Sequence, residues 1–263
     1  MDTSLYVSLS SQVALERRLN TIANNVANAN TTGFRAGQIK FEEVLDGVDA
    51  RAPSYVDEGQ SYLSPLTGSV TETGASLDFA IQGDAWFAAE SPAGTIVSRD
   101  GRFKMLDSGE LVTLEGHPVL DSGGSPIQLN PAGGRPEVAK DGVIRQDERL
   151  VSSIGLFEYQ PAEEFQRYGS SGIIAETEPQ PVVDTAGIGV LQGFVEGSNV
   201  NPIDEMSKLI IVHRTFDQIA AAIRDTEASK EDAIQTLALA PDYGCTAAYD
   251  RLVAGDTPGR RPD

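Results

Sequence analysis

Apolar positions follow two different rhythms along the chain. From about Thr3 to Ala29 the spacing predicts a helix. Leu15, Leu19, Ile22 and Val26 recur at intervals of 4, 3 and 4, and Leu5 and Leu9 extend the stripe backwards. Neither Gly nor Pro occurs before Gly33, and Asn30-Thr31-Thr32-Gly33 reads as the stop, with Gly33 as a left-handed cap. A second helix is predicted after Ser198. Asn201 precedes Pro202, a capping residue before a proline suited to the first helical position. Asp204 and Glu205 fall in the first turn, where the helix dipole favours negative charge. Its stripe, Leu209, Val212, Phe216, Ile219 and Ile223, is spaced 3, 4, 3, 4, and Pro241 ends the pattern.

Between the helices the rhythm changes. Short β-branched and aromatic runs alternate with turn residues. The runs are Asp78 to Ile81, Trp86 to Ala89, Thr95 to Val97, Leu111 to Leu114 and Ser153 to Tyr159. Gln82-Gly83-Asp84, Ser91-Pro92-Ala93-Gly94, Arg99-Asp100-Gly101, Asp107-Ser108-Gly109 and Asp121-Ser122-Gly123-Gly124 separate them. Such spacing predicts antiparallel β structure, and no helical pattern alternates with the strands.

Each helical stripe is a narrow seam, and such helices gain stability by packing seam to seam. The expected fold is α+β, a discontinuous N- and C-terminal helical coiled-coil domain flanking a mainly antiparallel all-β body. Residues 1–35 and 201–240 supply the helices, 36–75 an extended β-rich linker, 76–185 the body, 186–200 a return linker and 241–263 an atypical tail. On the pattern alone, two helices packed on an ordinary globular body is an equal alternative.

Composition narrows the chemistry. The 263 residues carry 39 acids against 20 Lys and Arg, a net charge of −19. That balance opposes a sequence-independent grip on nucleic acid and docking on an anionic membrane. Residues 1–50 hold six acids and four bases and residues 201–240 hold seven and four, so most of the charge belongs to the body and tail. A single cysteine, Cys245, excludes an intramolecular disulfide and a Cys-cluster metal site. Two histidines leave little for a catalytic centre, His117 preceding a proline in a turn and His213 lying in the helical stripe. Gly187-Ile188-Gly189-Val190-Leu191-Gln192-Gly193 is a poor dinucleotide loop, its third glycine one place late and no helix following. Asp100, Asp107 and Asp121 adjoin Gly or Ser-Gly and suit turns better than metal or catalysis. No catalytic residue, cofactor or metal ligand is therefore expected. No apolar run reaches transmembrane length, so no membrane insertion is expected. No cleavable secretion signal is readable, since Asp2, Glu16, Arg17 and Arg18 stand in the wrong places.

Four blocks carry a resemblance to a known family. Ala23-Asn24-Asn25-Val26-Ala27-Asn28-Ala29-Asn30-Thr31-Thr32-Gly33-Phe34 resembles the N-terminal signature of flagellar rod and hook proteins. Glu196-Gly197-Ser198-Asn199-Val200-Asn201-Pro202-Ile203-Asp204-Glu205-Met206 resembles their C-terminal signature. Leu77 to Phe87 and Ser98 to Phe103 are similar to two stretches of the same family, in the same order. Two departures stand out, Ala85-Trp86-Phe87 in place of the usual Gly-Phe-Phe and Ser98 in place of a common Tyr. The tail from Asp242 resembles nothing in the family. Opening residues and length resemble a proximal-rod member most, with the distal-rod subunit the close competitor; hook subunits are longer.

The resemblance implies an axial subunit of the bacterial flagellar basal body, not an enzyme. It implies export, unfolded and without a cleaved signal, through the flagellar type III apparatus. Partners would be other rod subunits and further copies of the chain, polymerised as a helical tube across the periplasm. The terminal helices would form its inner wall, with Leu15, Leu19, Ile22 and Val26 packed against Leu209, Val212, Phe216, Ile219 and Ile223. Leu5, Leu9 and Met206 belong to the same expected interface. The asparagines Asn20, Asn24, Asn25, Asn28 and Asn30 are poor helix formers. They would either cap and bend the helix or fix register between subunits, and the resemblance favours register, with Asn199 and Asn201 beside them. The rival from another class is an all-β carbohydrate-active enzyme, which would need paired pocket carboxylates. A monomeric periplasmic binding module is a third.

Overall fold

The computed structural model describes residues 2–40, 43–45, 54–56, 59–161, 165–183 and 187–238. Helix α1 spans Asp2–Ala27 and helix α2 spans Pro202–Ala238, and short strands fill the chain between them. Strand pairing among the described residues is antiparallel throughout, so the fold is α+β with a β body. The chain forms two compact units. The first runs to Phe216 and holds α1, all the strands and the first part of α2. The second begins at Asp217 and contains the remainder of α2.

Two four-stranded sheets make up most of the body. One is ordered Leu111–Thr113, Gly101–Met105, Asp78–Gln82, Gly189–Gln192. The other is ordered Arg167–Tyr168, Gly172–Ile174, Gly94–Ser98, Phe87–Ser91. The second contains a tight hairpin: Ser91 pairs with Gly94 across Pro92-Ala93, and Gly94 sits at φ 113°, where a side chain would be strained. Phe79, Ile81, Phe87, Phe103, Leu111 and Ile144 meet in the main core. There the Phe103 ring lies 5.8 Å from Phe79 and edge-on to Phe87 at 5.2 Å, the preferred aromatic arrangement. Gly101 permits this approach, because a Cβ there would fall 2.0 Å from the Phe79 carbonyl oxygen.

Local details differ from the sequence expectation. Helix α1 stops at Ala27, two residues before the expected Ala29. Asn28 ends it, its Nδ2 donating to the Asn24 carbonyl and its Oδ1 accepting from Thr31. Gly33 does take a left-handed φ of 70°, but to let the chain pass the Asp100 backbone; a Cβ would lie 2.1 Å from Asp100 N. The run Ser153 to Tyr159 splits into the end of Arg149–Ser153 and the separate Phe157–Glu158. The break falls at Gly155, whose N–H donates to the Leu120 carbonyl and whose Cβ position is blocked by the Asp121 carbonyl.

Phe103→Ala is expected to remove about 3–5 kcal/mol of stability by the cavity it leaves. Chemical denaturation of the purified protein checks this, and a loss below about 1 kcal/mol would place Phe103 outside the well-packed core.

Candidate functional site

The two ends of the β body's chain come together beneath the helices. Gly33 N–H donates to the Glu196 carbonyl at 2.7 Å, and Asn199 N–H to the Phe34 carbonyl at 3.4 Å. Phe34, Ala36 and Val200 pack as a small core of their own, with Ala29 against it. Asn199 clasps both sides: its Oδ1 accepts from Ala36 N–H at 2.7 Å and its Nδ2 donates to the Leu66 carbonyl at 2.7 Å.

Below this clasp lies a buried ionic cluster. Glu196 is 1 % exposed and sits between two guanidiniums, Arg35 Nη2 at 3.1 Å and Arg99 Nη1 at 3.3 Å. Gly68 N–H adds a third donor to its Oε1 at 3.1 Å. The cluster holds two positive charges and one buried negative charge, so the surplus must be met otherwise. Arg35 Nη1 donates to the carbonyls of Pro65 and Leu66, and Arg99 Nη2 to that of Gly83. Both guanidiniums also face Trp86, at 6.0 Å and 5.5 Å from its ring centroid. An indole offers the best aromatic face for a cation, which gives the unusual Trp86 a physical reason. Asp84 lies 3.5 Å from Arg99 but is fully exposed, so water screens it. Burial pushes Arg99 down to about 10, opposed chiefly by the Glu196 carboxylate.

A second polar contact positions α1. Asn25 is 3 % exposed inside the helix face. Its amide exchanges two hydrogen bonds with the Gly37 backbone, at 2.9 and 3.0 Å, and its Nδ2 also donates to Glu205 of α2 at 3.1 Å. Lys208 holds the other Glu205 oxygen at 2.6 Å. Asn201 caps α2, accepting from Ile203 N–H at 3.1 Å and donating to Asp204. Asn25, Asn28, Asn199 and Asn201 thus make these side-chain bonds inside the chain, while Asn24 is exposed.

The apolar seam residues are distributed unevenly. Ile22 and Val212 are buried, and Leu15, Leu19, Val26, Leu209 and Phe216 are half-buried. Leu9 and Met206 are exposed, at 50 % and 52 %. Ile219 and Ile223 are half-buried in the second unit, and the Leu5 side chain lies outside the described residues. Further apolar surface is open at Val13, Ile203, Ile210 and Ile211. Sequence reading missed Arg35, Arg99 and the role of Glu196, although each stands inside or beside a motif block next to a glycine-bearing turn.

Other sequence candidates resolve into local structure. Asp100 accepts from Arg102 side chain and backbone, and Asp121 from the N–H groups of Gly123 and Ser125. The His117 ring stands edge-on to Tyr168 at 5.3 Å. Gly189 begins the strand Gly189–Gln192 rather than leading into a helix. Among the described residues no cluster of His, Cys, Asp or Glu could hold a metal, and no helix is long and apolar enough to cross a membrane.

Comparisons with known proteins agree on one family. Residues 5–35 match the family described as flagella basal body rod protein, residues 80–146 the flagellar hook protein FlgE/F/G D1 domain, and residues 191–236 the flagellar basal body rod FlgEFG protein C-terminal. The chain is 56 % identical to the flagellar basal-body rod protein FlgF of Mesorhizobium japonicum, over 90 % of this chain and 98 % of that protein. It is 51 % identical to FlgF of Rhizobium meliloti and 37 % to FlgF of Caulobacter vibrioides, with the same two coverages in each case.

Glu196→Gln strands two buried guanidiniums without a counter-charge and is expected to cost about 3–5 kcal/mol. Replacing Arg35, Glu196 and Arg99 together by apolar residues of similar size should cost less than that single change. Urea denaturation of both variants orders them, and the reverse order would remove the electrostatic account.

Proposed function

The chain belongs to the flagellar basal-body rod proteins, and on that premise we propose how it builds a proximal rod. It is a structural protein of the flagellar basal body, and its relatives are rod proteins rather than enzymes. In this reading it reaches its place unfolded, through the flagellar type III export apparatus, and folds where it is added. Its partners are other rod subunits and further copies of itself.

The observation that carries the reading is the apolar surface left open on both helices of a chain with a fully formed core elsewhere. Leu9 and Val13 on α1 and Ile203, Met206, Ile210 and Ile211 on α2 are all exposed. Contiguous exposed apolar side chains mark an interaction surface. A head-to-tail contact that does not close on itself generates an open helical filament, the geometry a drive shaft needs. Neighbouring subunits would complete seams built from Leu5, Leu9, Leu15, Leu19, Ile22 and Val26 on α1. On α2 the matching seam is Met206, Leu209, Val212, Phe216, Ile219 and Ile223. Coiled-coil packing is the arrangement their heptad-like spacing favours. Asn25, Asn28, Asn199 and Asn201 would serve assembly from within, by holding the helices in the pose that presents those seams. Asn24 is left to face a neighbour.

Met206→Asp changes an exposed position, so the monomer should keep its stability within about 0.5 kcal/mol. Basal bodies isolated from cells carrying Met206→Asp or Leu19→Asp should nevertheless lack a completed rod. Normal rods and swimming in both strains would sink the seam reading.

A further inference from the structure

One half-buried cation near the junction has no counter-charge among the described residues. Arg167 lays its guanidinium over the Phe34 ring at 4.3 Å, with Phe165 at 5.3 Å. Its Nη2 donates to the Arg35 carbonyl at 2.8 Å. Its Nη1 is buried and makes no hydrogen bond. Burial alone pushes Arg167 down to about 10, whereas Glu196 pulls against that effect at Arg99.

Arg167 lines a cavity of about 230 Å³ between α1 and the paired strands Gly37–Lys40 and Gln60–Leu63. Asn20, Asn24, Gln38 and Ser61 contribute amide and hydroxyl groups to its wall, and among the described residues no carboxylate lines it. A guanidinium stripped of part of its water and given no anion is costly, and a carboxylate is the group its fork binds best. The cavity has room for a side-chain carboxylate and its approach.

We propose that this cavity receives a carboxylate from the second helix of a neighbouring copy of the chain, gripped by the part of the Arg167 guanidinium that lines it. The proposal rests on the rod reading, which brings copies together. Complementarity selects the donor: the chain is strongly acidic, and Asp225, Glu227, Glu231 and Asp232 stand exposed along the distal part of α2. Filling the cavity would give Arg167 in the assembly what Arg35 and Arg99 have in the monomer. The contact then forms only on assembly, so it favours the rod without requiring the free subunit to hold the pair.

The test uses the full chain with Cys245→Ser. Asn24→Cys at the cavity wall is combined in turn with cysteine at position 225, 227, 231 or 232, and isolated basal bodies are oxidised and run on a non-reducing gel. A disulfide-linked dimer of this chain from at least one pair, absent from each single-cysteine control and lost with Arg167→Met, is the expected result. Linkage within one chain would assign the cavity to its own helix and overturn the proposal, as would no linkage from any of the four pairs. Arg167→Met keeps an apolar stem over Phe34, so the purified monomer should melt as the parent does while rods diminish, with Arg167→Lys restoring them in part. A large fall in the monomer's melting temperature with Arg167→Met would make Arg167 merely structural. Absence of the parent chain from basal bodies would instead reject the rod reading itself.

Discussion

A carboxylate taken out of water must be surrounded by positive charge, and Glu196 meets that demand from two remote stretches of chain. Arg35 follows the first helix and Arg99 belongs to the β body, while Glu196 itself lies on the strand that leads back to the second helix. The arrangement makes every alternative expensive. Take Glu196 away and two guanidiniums are left buried without a counter-charge, which is strongly destabilising. Gly33, Gly68 and Asn199 then need only short-range bonds to complete the junction. Once it is closed, Asn25 can reach both Gly37 and Glu205, and the end of α1 and the start of α2 inherit a fixed place relative to the body.

The helices were the most legible part of the chain, because their signal is local. A stripe at 3 and 4 spacing needs no knowledge of the rest, and Asn201-Pro202 announces its helix within two residues. The hairpin at Ser91 to Gly94 is legible for the same reason. Illegible were the features that join distant positions. Arg99 and Glu196 are 97 residues apart, and Asn25 and Glu205 are 180 apart. No period or turn signal carries such a pairing. The asparagines show the same limit from the other side: Asn25 has the composition of a register device, but its partners turned out to be backbone and side chain of its own subunit. The break inside Ser153 to Tyr159 was hidden because Gly155 yields to the neighbouring Asp121 backbone, not to a local turn. The division after Phe216 was equally invisible, since the apolar stripe of α2 runs straight through it.

Two kinds of contact therefore divide the work. Polar pairs, which are demanding in geometry, fix the subunit internally. Apolar faces, which are tolerant in geometry, are left exposed on both helices. A filament that turns under load profits from this division. In the proposed assembly its subunits would adjust slightly against one another across oily seams, while the joint between helices and body stays defined by hydrogen bonds and charge.

Trp86 adds a consequence of a different kind. It is the chain's single tryptophan, and its indole is buried against both arginines of the junction. Ultraviolet emission excited at the red edge of protein absorption consequently comes from one place, the junction between the helices and the β body. The subunit carries a native optical gauge there, readable through folding and assembly without any added label.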